Sequence, residues 1–431
     1  MMGCSDLRDR VLPVWRSRSV SFSLCGFLTL LAAVVLAGLP AEAQTDPATT
    51  KPYASINRDA VYYSGPGRGS SYDLKGNYVV IGMILPLRGS HEAEGKALLQ
   101  AAQLALDEEI VQSLPDGRGL TLAVRDESGS WGQASSEMVR LILQDEAVAL
   151  ITSPDGNIAH QAEQIANKIG VPILTLASDA TTTQINLPWI FRLGPSDADE
   201  ARAFAEHIYR QRGCRKVLLL AQVDHDGRVG SEQFEKAARQ LHAPPPGRLE
   251  ISSASADVES AMAQVKARDP EAVVLWTDHD LAAELLPLIR HGKPTMPVYL
   301  CRKAAEIAGM RVGEPSPARP AQGEGNDAEI WVAASPAKGA GSARQEFEKR
   351  FRDRTGTMPS AAAAEAYDAV HVVAAALRHA GANRARVRDV LAAGTSFQGA
   401  TGAISFDSAG NERGDIVVVR LQGASFAGTS F

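Results

Sequence analysis

The chain has 431 residues, with 44 Lys+Arg against 50 Asp+Glu, a formal net charge of −6 and 45% hydrophobic residues. That is the balance of a globular protein long enough for two or three domains. A mildly acidic chain with no basic block lacks the electrostatic footprint of a nucleic-acid binder. Its four cysteines, without CxxC or Cys/His zinc spacing, exclude a disulfide scaffold.

Arg8, Arg10, Arg16 and Arg18 precede an apolar run of 16 residues from Leu24 to Leu39, followed by Ala41-Glu42-Ala43. The run is short of the roughly 20 residues a membrane span needs. Together these features predict a cleavable signal peptide over residues 1–43 and export to the periplasm. The mature chain keeps Cys214 and Cys301, which fall at opposite ends of predicted parallel strands and are expected to be free thiols. Residues 44–75, rich in Thr, Ser, Gly and Pro, read as a linker or irregular arm.

From Tyr78 the pattern becomes periodic. Val79–Leu85 is a continuous apolar run, as in a strand buried on both faces. A helix is predicted over Glu92–Ser113, then a strand at Leu120–Arg125, a helix at Gly132–Gln144 and a strand at Ala147–Thr152. A helix at Ile158–Ile169 and a strand at Val171–Leu176 follow, and Pro188–Asp197 reads as a passage. The alternation then restarts. Strands at Val217–Ala221, Arg248–Ile251, Ala272–Trp276, Val298–Leu300 and Ile330–Ala333 enclose helices at Val229–Leu241, Asp257–Arg268 and Leu281–Arg290. Residues 313–327 read as a surface insertion. Helices at Ala343–Arg354, Ser360–Ala380 and Asn383–Ala392 precede closing strands near Gly402–Asp407 and Asp415–Leu421. Strand and helix in alternation, twice over, give an α/β protein with two parallel sheets.

Several stretches carry a family resemblance: Ile81-Gly82-Met83-Ile84-Leu85-Pro86-Leu87-Arg88-Gly89, Ile169-Gly170-Val171-Pro172-Ile173-Leu174, Phe191-Arg192-Leu193-Gly194-Pro195-Ser196-Asp197, Ala366-Tyr367-Asp368-Ala369-Val370, and Phe397–Asp407. In this order they resemble the type 1 periplasmic solute-binding proteins, the branched-chain-amino-acid (leucine-binding) group of ABC importers, over residues 78–422. The resemblance implies two Rossmann-like lobes joined by a three-strand hinge. Lobe 1 would comprise 76–196 with 335–412, and lobe 2 would comprise 197–334 with 413–431. It also implies a monomer that closes on a small-molecule solute, without a cofactor, and meets an ABC permease in the inner membrane.

In the family, a Ser and a Thr hold the ligand carboxylate and a carbonyl takes the ammonium. Here the segment Asp155-Gly156-Asn157 follows the strand at Ala147–Thr152, with Gly156 or Asn157 where the Ser is expected. Ala177 fits the carbonyl, and Asp179 stands where the Thr is expected, with Ser178 and Thr181 beside it if the register is shifted. A carboxylate there repels a ligand carboxylate by several kcal/mol at about 4 Å in a partly dry cleft. That argues against a standard branched-chain amino acid.

Two triplets, Asp224-His225-Asp226 and Asp278-His279-Asp280, follow strands. They bring Asp226 and Asp278 to the candidate site, as a metal or cation nest or, the favoured reading, as helix caps and turns. Arg88, Arg302, Arg228 and Lys303 lie near strand ends, where they balance the acidic loops. No G-x-S-x-G, G-x-G-x-x-G after a strand, or H-E-x-x-H occurs, so no enzyme is expected. The alternative function is a non-transport envelope sensor or regulator on the same fold.

Overall fold

The computed structural model describes residues 63, 65–111, 114–129, 132–184, 187–306, 329–335 and 341–421. The signal segment 1–43, the arm up to residue 62, Trp131 and the insertion 313–327 lie outside the described residues.

The apolar run becomes β1 (Tyr78–Leu85), buried from Ile81 onward. After it come α1 (Glu92–Ile110), β2 (Gly119–Asp126), α2 (Gln133–Leu143), β3 (Ala149–Thr152), α3 (Gly156–Ile169), β4 (Ile173–Thr175) and β5 (Ile190–Arg192). These strands form one sheet in the order β2-β1-β3-β4-β5, parallel throughout.

The chain then enters a second layer through α4 (Asp197–Ala205), which continues as a π-helical turn to Gln211. There β6 (Val217–Gln222), α5 (His225–Gln240), β7 (Gly247–Ile251), α6 (Ser255–Arg268), β8 (Ala272–Trp276), α7 (His279–Gly292), β9 (Val298–Leu300) and β10 (Ile330–Ala334) follow. The chain returns through α8 (Ser342–Thr355), α9 (Ala361–Ala380), α10 (Arg384–Ala392) and the hairpin β11 (Phe397–Gly399)–β12 (Gly402–Ile404). It ends at β13 (Val417–Arg420). The second sheet runs β13-β10-β9-β8-β6-β7, with β13 antiparallel to β10 and the other pairs parallel.

Each sheet is buried because both of its faces are covered. Val79, Ile81, Met83 and Leu85 face α1 and α9, while Ile84 and Leu150 face α2 and α3. Leu218–Leu220 and Val273–Leu275 pack with Phe204, Phe234 and Leu285 around the second sheet. The chain passes between the layers near residues 193–196, between Ala334 and Ser342, and between Phe406 and Val417.

Three differences from the sequence reading stand out. Pro188–Asp197 contains a strand, β5, and leads into a full helix. Helix α5 begins at His225, four residues earlier than periodicity suggested, because Asp224 caps it. The end of the irregular arm is docked on α10, with Arg68 paired to Asp389 and Arg386 to Asp73. Cys214 and Cys301 are both free thiols, as expected.

Helix α9 is buried along most of its length, and Asp368 within it is wholly buried. Its carboxylate accepts the backbone N–H of Ala400 (2.6 Å) and Thr401 (2.8 Å) and the Thr401 hydroxyl (2.5 Å). It therefore ties the β11–β12 hairpin to the core. Asp368→Ala leaves both N–H groups without a partner and is expected to cost about 3 kcal/mol, read as a lower urea midpoint. A midpoint within experimental error of wild type contradicts this role.

Candidate functional site

The carboxyl ends of the two sheets face each other, the edge at which open parallel sheets place their ligands. Asp179 follows β4 and is 1% exposed. Its Oδ1 accepts the backbone N–H (2.8 Å) and hydroxyl (2.6 Å) of Thr181. Its Oδ2 faces two imidazoles: His160 Nε2 on α3 at 2.9 Å and His225 Nε2 at the start of α5 at 2.7 Å. His160 belongs to the first layer and His225 to the second, so one carboxylate bridges them.

Burial alone would raise the Asp179 carboxyl. Hydrogen bonds from His160, His225 and Thr181 outweigh that and hold it far below the usual carboxylate range. The same bond from Asp179, with help from Glu163, pushes His160 up to about 10, and Asp179 raises His225 too. Arg228 Nη2 lies 3.3 Å from His225 Nδ1. A guanidinium only donates, so Nδ1 accepts there and the Nε2 proton points at Asp179. Charging His225 would push the half-exposed Arg228 aside.

Further contacts cross between the layers. Gly156 N donates to Asp226 Oδ1 at 3.2 Å. A Cβ on Gly156 would fall 2.4 Å from that oxygen and 2.8 Å from the His225 ring, so only glycine allows this approach unchanged. Arg302, after β9, pairs with Glu365 on α9 and donates to the Leu176 carbonyl at 3.3 Å. Gly194, at φ +80°, sits against Arg302 and Glu365 where the chain leaves β5.

What remains between the layers is a space of about 80 Å³, room for a few waters. Among the described residues six carboxyl groups line it, from Glu94, Glu127, Asp155, Asp224, Asp226 and Asp278, against the amine of Lys303 and the imidazoles of His91 and His225. Lys303 is ion-paired with Asp226. Burial would lower the amine, but Asp226, Asp155 and Glu94 hold it above its ordinary value. Glu127 accepts from Ser153 Oγ at 2.9 Å through Oε1, while its buried Oε2 has no hydrogen-bond partner among the described residues.

The acids have a local cause. Asp155 caps α3 on Ile158 N (3.1 Å), Asp224 caps α5 on Gly227 N (2.6 Å), and Asp278 caps α7 on Leu281 N (2.8 Å). A helix N-terminus attracts anions through free N–H groups. Here the protein's own carboxylates occupy these positions.

The sequence-predicted residues thus divide. Asp155, Asn157, Asp226 and Asp278 line the larger space. Ser178, Arg302, Asp226 and Asp278 line a second, smaller one of about 10 Å³ beside Trp276. Gly156, Asp179 and Thr181 belong to the bridging contacts, and Ala177 is buried. Arg88 lines neither space and pairs instead with Asp126 at 2.5 Å, largely exposed. In the first triplet Asp224 is the cap and Asp226 lies in the helix, the reverse of the turn expected at Asp226. The histidines of the two triplets diverge, His225 turning to Asp179 and His279 pairing with Asp280 at 3.2 Å, while Asp224, Asp226 and Asp278 line the same space. His160, Glu94 and Glu127 were missed, since single polar residues on a helix or after a strand give no pattern.

Burial pushes the Glu127 carboxyl up to about 9, outweighing the Ser153 hydrogen bond. The folded value exceeds the unfolded one, so stability declines as pH rises from the ordinary carboxylate range to about 9 and then levels off. Burial also pushes Glu200 up to about 8 and Asp197 up to about 7, so the infrared difference between this protein and Glu127→Gln is expected to show one protonated carboxyl at pH 7 that is lost near pH 9. A wild-type spectrum identical to that of the variant at pH 7 contradicts it.

No helix among the described residues is long and apolar enough to cross a membrane. A solved leucine-binding protein from Thermotoga maritima is 20% identical with a TM-score of 0.68, covering 80% of this chain and 96% of that one. A solute-binding protein from R. palustris, solved with benzoate, is 18% identical with a TM-score of 0.67 over 80% and 94%. The plant Glutamate receptor 3.4 of Arabidopsis thaliana is 28% identical over 138 residues, 32% of this chain, and the match spans only 14% of the receptor's length. The periplasmic binding protein family model matches residues 78–424. With this span and the two facing parallel sheets, the chain belongs to the periplasmic binding protein family.

Proposed function

We propose that this protein captures a small, positively charged solute between its two layers in the periplasm and presents the closed form, as a monomer, to an ABC permease in the inner membrane. The observation that carries the charge of the solute is the lining of the interlayer space among the described residues: the carboxylates of Glu94, Asp155, Asp224, Asp226 and Asp278, with the Glu127 carboxyl that a bound cation would ionise, against the Lys303 amine and the imidazoles of His91 and His225. An ammonium or guanidinium group donates to such oxygens, whereas a ligand carboxylate meets repulsion and helix ends already capped. This departs from the amino-acid carboxylate pocket that the family resemblance implies. Binding that contacts both layers favours the closed form and shifts the population toward it.

A second reading has an observation of its own. About 80 Å³ is well below the 300–1,000 Å³ of ordinary ligand sites, and His225–Asp179, Asp226–Gly156 and Arg302–Glu365 close the cleft without a guest. A non-transport envelope sensor, closed by its own side chains, fits that arrangement.

A thermal-shift screen in the presence of chelator separates the two. Diamines, guanidinium compounds, zwitterionic amino acids and aromatic carboxylates are the probes. The transport reading predicts that one or more cations raise Tm and that Glu127→Gln weakens the response. Stabilisation by anions alone overturns the charge argument, and flat curves with every probe favour the sensor.

A further inference from the structure

We propose that His160, Asp179 and His225 form a divalent transition-metal site that clasps the two layers together. Two imidazoles and a carboxylate offer Nε2, Nε2 and Oδ2, all within 4.8 Å of one another. Both rings aim the same nitrogen at one oxygen, so their lone pairs converge near a single point once the Nε2 protons are replaced. Borderline ions such as zinc take this donor set.

The adjustment needed is small. Tetrahedral ligands at about 2.0–2.1 Å from zinc stand about 3.3 Å apart, against the present 2.9 and 2.7 Å. Each nitrogen-to-oxygen separation therefore opens by about half an ångström. Thr181 Oγ1, 2.9 Å from His160 Nε2, lies beside the site, and His225 also lines the interlayer space.

The surroundings of the two histidines differ. His160 Nδ1 lies 3.2 Å from Glu163 Oε2, a nearly buried carboxylate. An imidazole bound to metal through Nε2 donates its other N–H to such a partner, which orients the ring and raises its basicity. His225 Nδ1 instead faces Arg228, which is half exposed. Arg228 must swing away for Nδ1 to hold a proton, so it opposes the metal. The site takes a ligand from each layer, so an ion there binds the closed form and not the open one. It is independent of which solute, if any, the cleft admits.

The test uses purified protein stripped with chelator and dialysed, with zinc measured by competition against a chromophoric chelator and cobalt by visible absorption. Wild type is expected to bind one equivalent of zinc and to give a tetrahedral or five-coordinate cobalt spectrum. His160→Ala and His225→Ala should each weaken zinc by more than about 100-fold, and Glu163→Gln by about 10-fold. Arg228→Ala should bind as tightly as wild type or tighter, and His279→Ala should bind as wild type. Circular dichroism and Tm in chelator verify that each variant is folded. No zinc bound by wild type overturns the proposal. So does zinc retained by His160→Ala and His225→Ala, which would place the ion on the acidic loops. Because the solute screen is run in chelator, loss of the metal site and loss of solute capture are read separately.

Discussion

A carboxylate removed from water must be compensated by its neighbours, and the cleft is organised around one such group. Asp179 is almost wholly buried, yet it is held in its charged form because Thr181 satisfies one oxygen and histidines from both layers meet the other. Removing one partner of such a buried pair costs more than the pair gains, because the remaining charge is stranded. Separating the layers withdraws His225 from Asp179, so opening exchanges this contact for water or for a guest.

The same logic explains the acidity of the cleft. Three helices point their N-termini at the space between the sheets, a geometry that would suit an anion. Asp155, Asp224 and Asp278 cap those helices, so each attractive helix end becomes a negative lining. Lys303 offsets only part of that charge. Helix capping, a local matter of a few hydrogen bonds, thereby sets the sign of the charge that lines the cleft.

Much of the scaffold was legible in the sequence because buried parallel strands are apolar runs: Val79–Leu85 and Ala272–Trp276 needed no context. Helix α4 was not read, although Ser196-x-x-Asp199 forms a capping box that marks its start. At the site, Asp179 and the Asp-His-Asp loops stood out as departures from the family pattern. His160 did not, because its meaning depends on α3 packing beside the loop after β4, which no spacing along the chain records. The unpartnered oxygen of Glu127 is likewise a property of the folded cleft. Arg88 illustrates the converse: a strand-end position suggested the site, but the nearest opposite charge, Asp126 on the neighbouring strand, holds it elsewhere.

The central claim, that Asp179 holds the layers closed, is most directly tested by pulsed electron–electron resonance in the presence of chelator. Spin labels would be placed at Lys168→Cys and Lys236→Cys, exposed positions on α3 and α5, in a Cys214→Ser background. The account predicts a single short distance for this protein and a broader, longer distribution when Asp179→Asn is added. Identical distributions with and without Asp179→Asn would contradict it.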